Sequence, residues 1–272
     1  MAAITSRDNP KVKQVRSLRQ RKQREATGMF LVEGIHHVGE AVQAAAKGIN
    51  RTRIEYIFYS PDLLSSEFAI QLVQSQIREG TPCFSASEDI FRTLTEKENP
   101  QGILAVVRHK WSRLEELNPG NFPWGVALVA PQDPGNIGTI LRTIDGVGAA
   151  GLILIDSSAD PYHPNAIRAS MGTLFWLPLA RASLQEFKEW TRQHEFKVYG
   201  TSARGSMDHR SVENYQLPLI LLMGSEREGL SPEAQEICSE LVRLPMHGRV
   251  SSLNLAVAAG VMLYEIHDRI GV

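Results

Sequence analysis

From Val126 onward the chain repeats one pattern, a short and nearly uninterrupted apolar run followed by a stretch with helical spacing. The runs are Val126 to Ala130, Leu152 to Asp156, Lys197 to Gly200, Leu219 to Met223 and Leu241 to Leu244. Strands that are apolar at successive positions and alternate with helices have both faces covered, which predicts a mostly parallel sheet between helical layers. A sheet of that kind collects its ligands at the carboxyl ends of its strands. Three of the runs lead into loops rich in Gly, Pro, Ser and Asn: Asp133-Pro134-Gly135-Asn136-Ile137-Gly138, Gly224-Ser225-Glu226-Arg227-Glu228-Gly229, and the long Leu244-Pro245-Met246-His247-Gly248-Arg249-Val250-Ser251-Ser252-Leu253-Asn254. Glycine permits tight backbone paths there, and a following helix offers unpaired amides. One shared binding site is expected.

The first part of the chain reads differently. A basic helix to Arg24 is followed by strand Phe30 to Glu33, helix 36–47, strand Ile54 to Tyr59, helix 66–79, a strand near Pro82 to Ser85, a short helix at 89–96 and strand Ile103 to Val107. This predicts a small αβ layer fold. Periodicity breaks at Asn118-Pro119-Gly120-Asn121-Phe122-Pro123, which predicts a linker over 110–124 between a domain at 1–109 and one at 125–272. With 272 residues, 43% of them hydrophobic, there is apolar material for two cores. The formal net charge of −1 hides an uneven distribution. Residues 1–28 carry Arg7, Lys11, Lys13, Arg16, Arg19, Arg21, Lys22 and Arg24 against Asp8 and Glu25. Such a basic end either solvates an amphipathic helix or grips a polyanion.

The two cysteines, Cys83 and Cys238, lack metal-ligand spacing and are expected as buried, reduced thiols, with no metal bound. No apolar run approaches the roughly 20 residues that span a bilayer, so a cytoplasmic protein without a membrane partner is expected. The run Gly146-Val147-Gly148-Ala149-Ala150-Gly151 matches the dinucleotide spacing. It follows a helix and precedes a strand, the reverse of the order that turns amides toward a pyrophosphate, and is read as an ordinary turn.

Taken together, the three loops resemble the motifs of the SpoU-type (TrmH-like) RNA ribose 2′-O-methyltransferases of the SPOUT superfamily. The first is Asn136-Ile137-Gly138-Thr139-Ile140-Leu141-Arg142-Thr143, the second Leu222-Met223-Gly224-Ser225-Glu226-Arg227-Glu228-Gly229-Leu230-Ser231, and the third runs from Leu244 to Ala258. Ser6-Arg7-Asp8-Asn9-Pro10 and Phe30-Leu31-Val32-Glu33-Gly34 are similar, more weakly, to the family's αβ substrate-binding domain. Where the family's third motif more often reads Ser-Leu-Asn-Val-Ser, this chain has Ser252-Leu253-Asn254-Leu255-Ala256. The resemblance implies an α/β SPOUT fold with a C-terminal trefoil knot, and a homodimer with its site near the subunit interface. It also implies S-adenosylmethionine as cofactor, contacted by Gly224, Leu244 and Leu253, with Met246 and Thr201 beside them. RNA is the implied substrate, and the separate N-terminal domain favours ribosomal over transfer RNA. The basic residues at 7–24 then become RNA contacts.

Methyl transfer to a ribose hydroxyl requires alignment of the reacting atoms and stabilisation of charge on the 2′-oxygen. Arg142 is the leading catalytic candidate, as an electrostatic group more than as a base, because a guanidinium holds its proton. Glu226 is placed to accept a hydrogen bond from Arg142 or the ribose, or to sit as a first-turn carboxylate on a helix dipole. Asn136 reads as a helix N-cap or a catalytic group, and Ser252 and Asn254 as substrate-orienting groups or caps. His163, Asn165, Ser170 and Gly172 form a looser constellation after the second apolar run, while His36, His37 and His247 read as incidental. An apolar patch at Val257, Val261, Leu263 and Tyr264 suits either dimerisation or the core. The competing reading is a non-catalytic RNA-binding or ribosome-assembly factor on the same fold.

Overall fold

A computed structural model describes residues 3–108, 110–203 and 205–270. The ends of the expected domains at residues 1, 109 and 272 lie outside the described residues. Two compact units result, one formed by residues 1–110 with 162–176 and the other by 111–161 with 177–272.

In the first unit the elements are α1 (Pro10–Ser17), α2 (Arg21–Thr27), β1 (Met29–Glu33), α3 (Ile35–Ala46), β2 (Arg53–Tyr59), α4 (Glu67–Arg78), β3 (Cys83–Ser85), α5 (Glu88–Leu94) and β4 (Ile103–Arg108). The predicted basic helix is two short helices, with Leu18 to Gln20 closing the first before Arg21 opens the second. The strands form one sheet in the order β1-β4-β2-β3, antiparallel except for β2 and β3. Alternation along the strands separates two faces. Tyr56, Phe58, Leu104 and Val106 pack with Val12, Val15, Leu18, Ile90 and Phe91. On the opposite side Phe30 stacks on Tyr162 at 4.6 Å and meets Phe175 at 6.3 Å.

That stacking explains why 162–176, expected within the second domain, belong to the first unit. The Trp176 indole donates to Glu40 at 2.7 Å, and the Asn50 side-chain amide donates to the Phe175 carbonyl at 3.1 Å. Gly172 lies so close to Glu40 that a Cβ would fall 2.4 Å from its Cγ.

The second unit contains β5 (Trp124–Val129), α6 (Pro134–Gly146), β6 (Leu152–Ile155), β7 (Leu179–Ala182), α8 (Leu184–Gln193), β8 (Lys197–Thr201), β9 (Met207–Asp208), β10 (Leu219–Met223), α9 (Pro232–Gln235), β11 (Glu240–Arg243) and α10 (Leu255–Arg269), numbered so that α7 (Pro164–Ala169) is the helix contributed to the first unit. Its seven strands are all parallel, in the order β7-β6-β5-β10-β8-β11-β9. Strands β7 and β9 carry no long apolar run and were not expected. One face of the sheet, with Ala127, Ile153, Ile220 and Leu222, packs with Phe187 and Trp190 of α8 and with Leu114, Leu117 and Phe122.

The stretch read as a linker is thus largely packed. Ser112 donates its backbone N–H to Leu179 at 3.0 Å, Trp111 lies under the Arg181 guanidinium at 3.7 Å, and the Trp190 indole donates to the Leu117 carbonyl at 2.9 Å. Among the described residues no helix is long and apolar enough to cross a membrane. Replacing Trp190 with Ala removes both a core ring and this tether. It should cost about 3–5 kcal/mol of stability in urea unfolding and expose 111–123 to limited proteolysis; an unchanged cleavage pattern would contradict the packed arrangement.

Candidate active site

The strand order turns at β5, whose neighbours β6 and β10 lie on either side, and the three motif loops leave the carboxyl ends of β5, β10 and β11. The backbone of the second loop closes on itself. The Gly229 N–H donates to the Ser225 carbonyl at 3.0 Å, and the Glu228 N–H donates to the Ser225 hydroxyl at 3.2 Å. A Cβ at Gly224 would fall 2.0 Å from the Gly229 carbonyl carbon, so only glycine fits there. Beside this turn lies a cavity of about 510 Å³, lined among others by Thr201, Gly224, Glu226, Leu244, Met246, Ser252 and Leu253. Its size suits a cofactor-sized molecule.

The loops are tied by side chains. The Asn254 amide donates to the Asn136 carbonyl oxygen at 3.0 Å, and the Asn136 amide donates to Glu226 at 2.9 Å. Glu226 also accepts the backbone N–H groups of Gln132 at 2.9 Å and Asp133 at 3.2 Å, while Asn254 caps α10 by accepting from Ala256 at 2.9 Å. Partial desolvation pushes the Glu226 carboxyl up, and the hydrogen bonds from Asn136, Gln132 and Asp133 together pull it further down, below the usual carboxylate range. It is held ionised by its donors.

All five residues expected at the cofactor line the one cavity, as do Glu226 and Ser252. Leu253 is 38% exposed and Leu244 partly exposed, so neither is plain core. Asn136 is not the cap of α6; Asp133 is, accepting from Gly135 at 2.8 Å, and Asn136 is buried in the first turn where its amide bridges two loops. Ser252 makes no hydrogen bond to the described residues. Arg142 is exposed on α6, has no acidic partner among the described residues, and does not line the cavity. The link between Glu226 and Arg142 is absent, and Glu226 turns its oxygens to the first loop instead. Sequence reasoning missed Ser202 and Ala203, which follow β8 and share its strand-end position, and Gln235, which carries no motif signal.

Other expectations resolve locally. Leu263 is fully buried, leaving Val257, Val261 and Tyr264 exposed. Arg24 is 5% exposed, its guanidinium donating at 2.8 Å to the Leu18 and Arg19 carbonyls, so it is structural and withdrawn from the RNA contacts. Lys13 pairs with Asp8 and Arg21 with Glu25, both at the surface. Burial pushes the Cys83 thiol up to about 11 and the Cys238 thiol up to about 12, so neither is a thiolate nucleophile at neutral pH. Among the described residues no group of three or more His, Cys, Asp or Glu converges on a metal position.

Residues 123–264 match the SpoU rRNA Methylase family, and residues 9–105 match the MRM3-like substrate binding domain. The chain belongs to the SpoU rRNA methylase family. Its SpoU relatives include the 23S rRNA (guanosine(2553)-2'-O)-methyltransferase RlmP of Bacillus subtilis, 31% identical with 98% of this chain and 99% of the relative covered. The 23S rRNA (uridine(2479)-2'-O)-methyltransferase of Streptomyces viridochromogenes is 34% identical, with 96% and 90% covered. The crystal structure of the AdoMet-bound rRNA methyltransferase from Sinorhizobium meliloti superposes with a TM-score of 0.86 at 35% identity, covering 98% of this chain and 97% of that one.

Within this SpoU site the Asn136→Ala variant tests the tie between the loops. Because the folded Glu226 pKa is depressed below its ordinary 4.5, its stabilisation is present above that pH and lost as pH falls through the folded value. Urea midpoints from about pH 6 to about pH 3 should fall less steeply in the variant than in the parent. Parallel curves would show that Asn136 does not hold the carboxylate.

Proposed function

We propose that the chain transfers the methyl group of S-adenosylmethionine to a ribose 2′-hydroxyl of ribosomal RNA. The observation that carries the reading is the hydrogen-bonded chain Glu226–Asn136–Asn254, which joins three ordered motifs beside one cofactor-sized cavity at the strand ends. The two curated 23S rRNA relatives align through both units, which favours ribosomal RNA over transfer RNA. An assembly factor without catalysis gives no reason for Asn136 to be buried between the second and third loops.

The cavity fits the cofactor. Leu244, Met246 and Leu253 offer partly exposed apolar surface for an adenine ring, and the Gly224 and Thr201 strand ends bring backbone groups to its edge. When bound, S-adenosylmethionine supplies the activated methyl group. Glu226, ionised and saturated by N–H donors, positions the first and second loops and does not take a proton. Asn254 sets the start of α10 and Asn136 links it to the carboxylate, while Ser252 is free to meet substrate. Arg142 acts electrostatically: its guanidinium holds a target phosphate and steadies charge on the 2′-oxygen.

Arg142 reaches a site through a homodimer. Leu253, Val257, Val261 and Tyr264 follow one another at helical spacing and remain 38–56% exposed, on α10 and its N-terminal flank, and α6 packs against α10. A second copy on this stripe buries it and brings Arg142 of one copy to the cavity of the other. The C-terminal chain is threaded as the family's trefoil knot, and an rRNA substrate places the reaction in the cytoplasm. Exposed Arg7, Arg16 and Lys22, with Lys11, Lys13, Arg19 and Arg21, supply phosphate contacts in the first unit.

With labelled cofactor and unmodified rRNA, Arg142→Ala should lower turnover by about 100-fold or more while calorimetric cofactor affinity stays unchanged; Leu253→Trp should instead crowd the cavity and weaken cofactor binding. Normal turnover in the first, or normal affinity in the second, would break the assignment. In sedimentation, the double change Val257→Asp and Val261→Asp should yield a folded monomer that binds RNA without methylating it. A dimer that survives both substitutions would refute the interface.

A further inference from the structure

The first unit contains a cleft that none of the motifs accounts for. It lies where edge strand β1 meets α7 and the turn after α5, with Leu31, Leu104 and Ile167 forming an apolar floor and Arg19, Lys97 and Arg168 among its rim. The loose constellation in the sequence builds this wall. His163 caps α7 by accepting from the Asn165 N–H at 3.1 Å, the Asn165 side chain accepts from Arg168 at 2.5 Å, and the buried Ser170 hydroxyl donates to the Ile167 carbonyl at 2.9 Å. These residues position Arg168.

Glu33 and Glu96 also line the cleft, and Arg19 pairs with Glu96 at 3.7 Å, which leaves Lys97 and Arg168 as its cations without a carboxylate partner among the described residues. Lys97 is half-buried and has no carboxylate partner among the described residues; its ammonium would stand 3.1 Å from a Cβ at Gly34, whose φ of +100° and missing side chain leave it room. Glu33 of β1 accepts from the Thr95 hydroxyl, which in turn accepts the Lys97 N–H at 3.0 Å. Arg19 donates to the Thr93 and Thr95 carbonyls at 3.0 and 3.2 Å, which fixes the turn carrying Lys97. Burial lowers the His37 pKa, against a raising hydrogen bond with the Arg168 backbone, and the nearby charges of His36, Lys97 and Arg168 lower it further. Lys97 and Arg168 are the cations left for an anion to meet.

The innermost hollow holds about 40 Å³, room for a few waters and too little for a base. A ligand must lie across the cleft. We infer that it seats one unstacked nucleotide of the RNA substrate, its phosphate between Lys97 and Arg168 and the face of its sugar or base over Leu31, Leu104 and Ile167. Contact is to backbone and a flat face, so it grips single-stranded RNA without reading sequence. The inference rests on the RNA reading above and extends the basic surface of α1 and α2, through Arg19, to a second grip at Lys97 and Arg168.

The test is fluorescence anisotropy of the full chain with a labelled single-stranded RNA of mixed sequence, titrated across salt. The double variant K97A/R168A should bind about tenfold or more weakly at low salt, and its salt slope should fall by about 1.4, roughly 0.7 for each cation removed from the phosphate. Lys97→Arg should retain parental binding, and cofactor affinity should not move in either. If the double variant melts early, Lys97→Gln alone carries the reading and should lower the slope by about 0.7. Parental affinity and slope in a folded variant would overturn the cleft alone. A parent chain that binds no RNA would overturn this inference together with the substrate assignment.

Discussion

Two side-chain hydrogen bonds, Asn254 to Asn136 and Asn136 to Glu226, decide where the working loops of the second unit stand. A parallel sheet brings strand ends to one edge, yet it does not fix how the loops leaving those ends relate to one another. Loops made of Gly, Pro and Ser have little apolar surface with which to pack. An amide that donates one way and accepts the other supplies the missing constraint, and an ionised carboxylate at its end makes the bond stronger than a neutral pair. Burying Asn136 commits the arrangement, because a buried amide without partners is costly.

The same network divides labour among residues that a motif shows only as a string. Glu226 stands in the cavity wall, but its oxygens face the amides of Gln132, Asp133 and Asn136. Apart from Arg227 and Glu228, the groups left over at the cavity are apolar or weakly polar. Arg142, a strong charge exposed on α6 without an acidic partner among the described residues, stands apart from the cavity lining.

What is legible in the sequence depends on each residue's neighbours. β5, β6, β8, β10 and β11 announce themselves because burial on both faces demands successive apolar residues. β7 and β9 do not: Leu179–Ala182 carries Arg181, and Met207–Asp208 is two residues long. The cavity-lining residues of the second and third loops follow from the motifs, since position along a loop is local information, whereas Ser202, Ala203 and Gln235 lie outside them. The capping of α6 was misplaced by three residues because Asp133, before Pro134, is as good a cap as Asn136 and sequence does not rank them. Arg24 looked like its basic neighbours; only the fold turns its guanidinium onto two carbonyls. That 162–176 complete the first unit is a long-range fact, written in Phe30 and Glu40 on one side and Tyr162 and Trp176 on the other.

Those pairings bear on how the polypeptide is made. The hydrogen bond from Trp176 to Glu40 spans 136 positions in the chain, so the sheet of β1 to β4 cannot be fully covered when its last strand leaves the ribosome. Phe30 must wait, exposed on one face, until β5, α6 and β6 have been synthesised and the crossover after them arrives. Contacts of such separation slow folding and prolong the life of unprotected apolar surface. The backbone passes between the two units three times, at 110–111, 161–162 and 176–177, and the order of synthesis therefore makes the amino-terminal unit, begun first, dependent on the other for its completion.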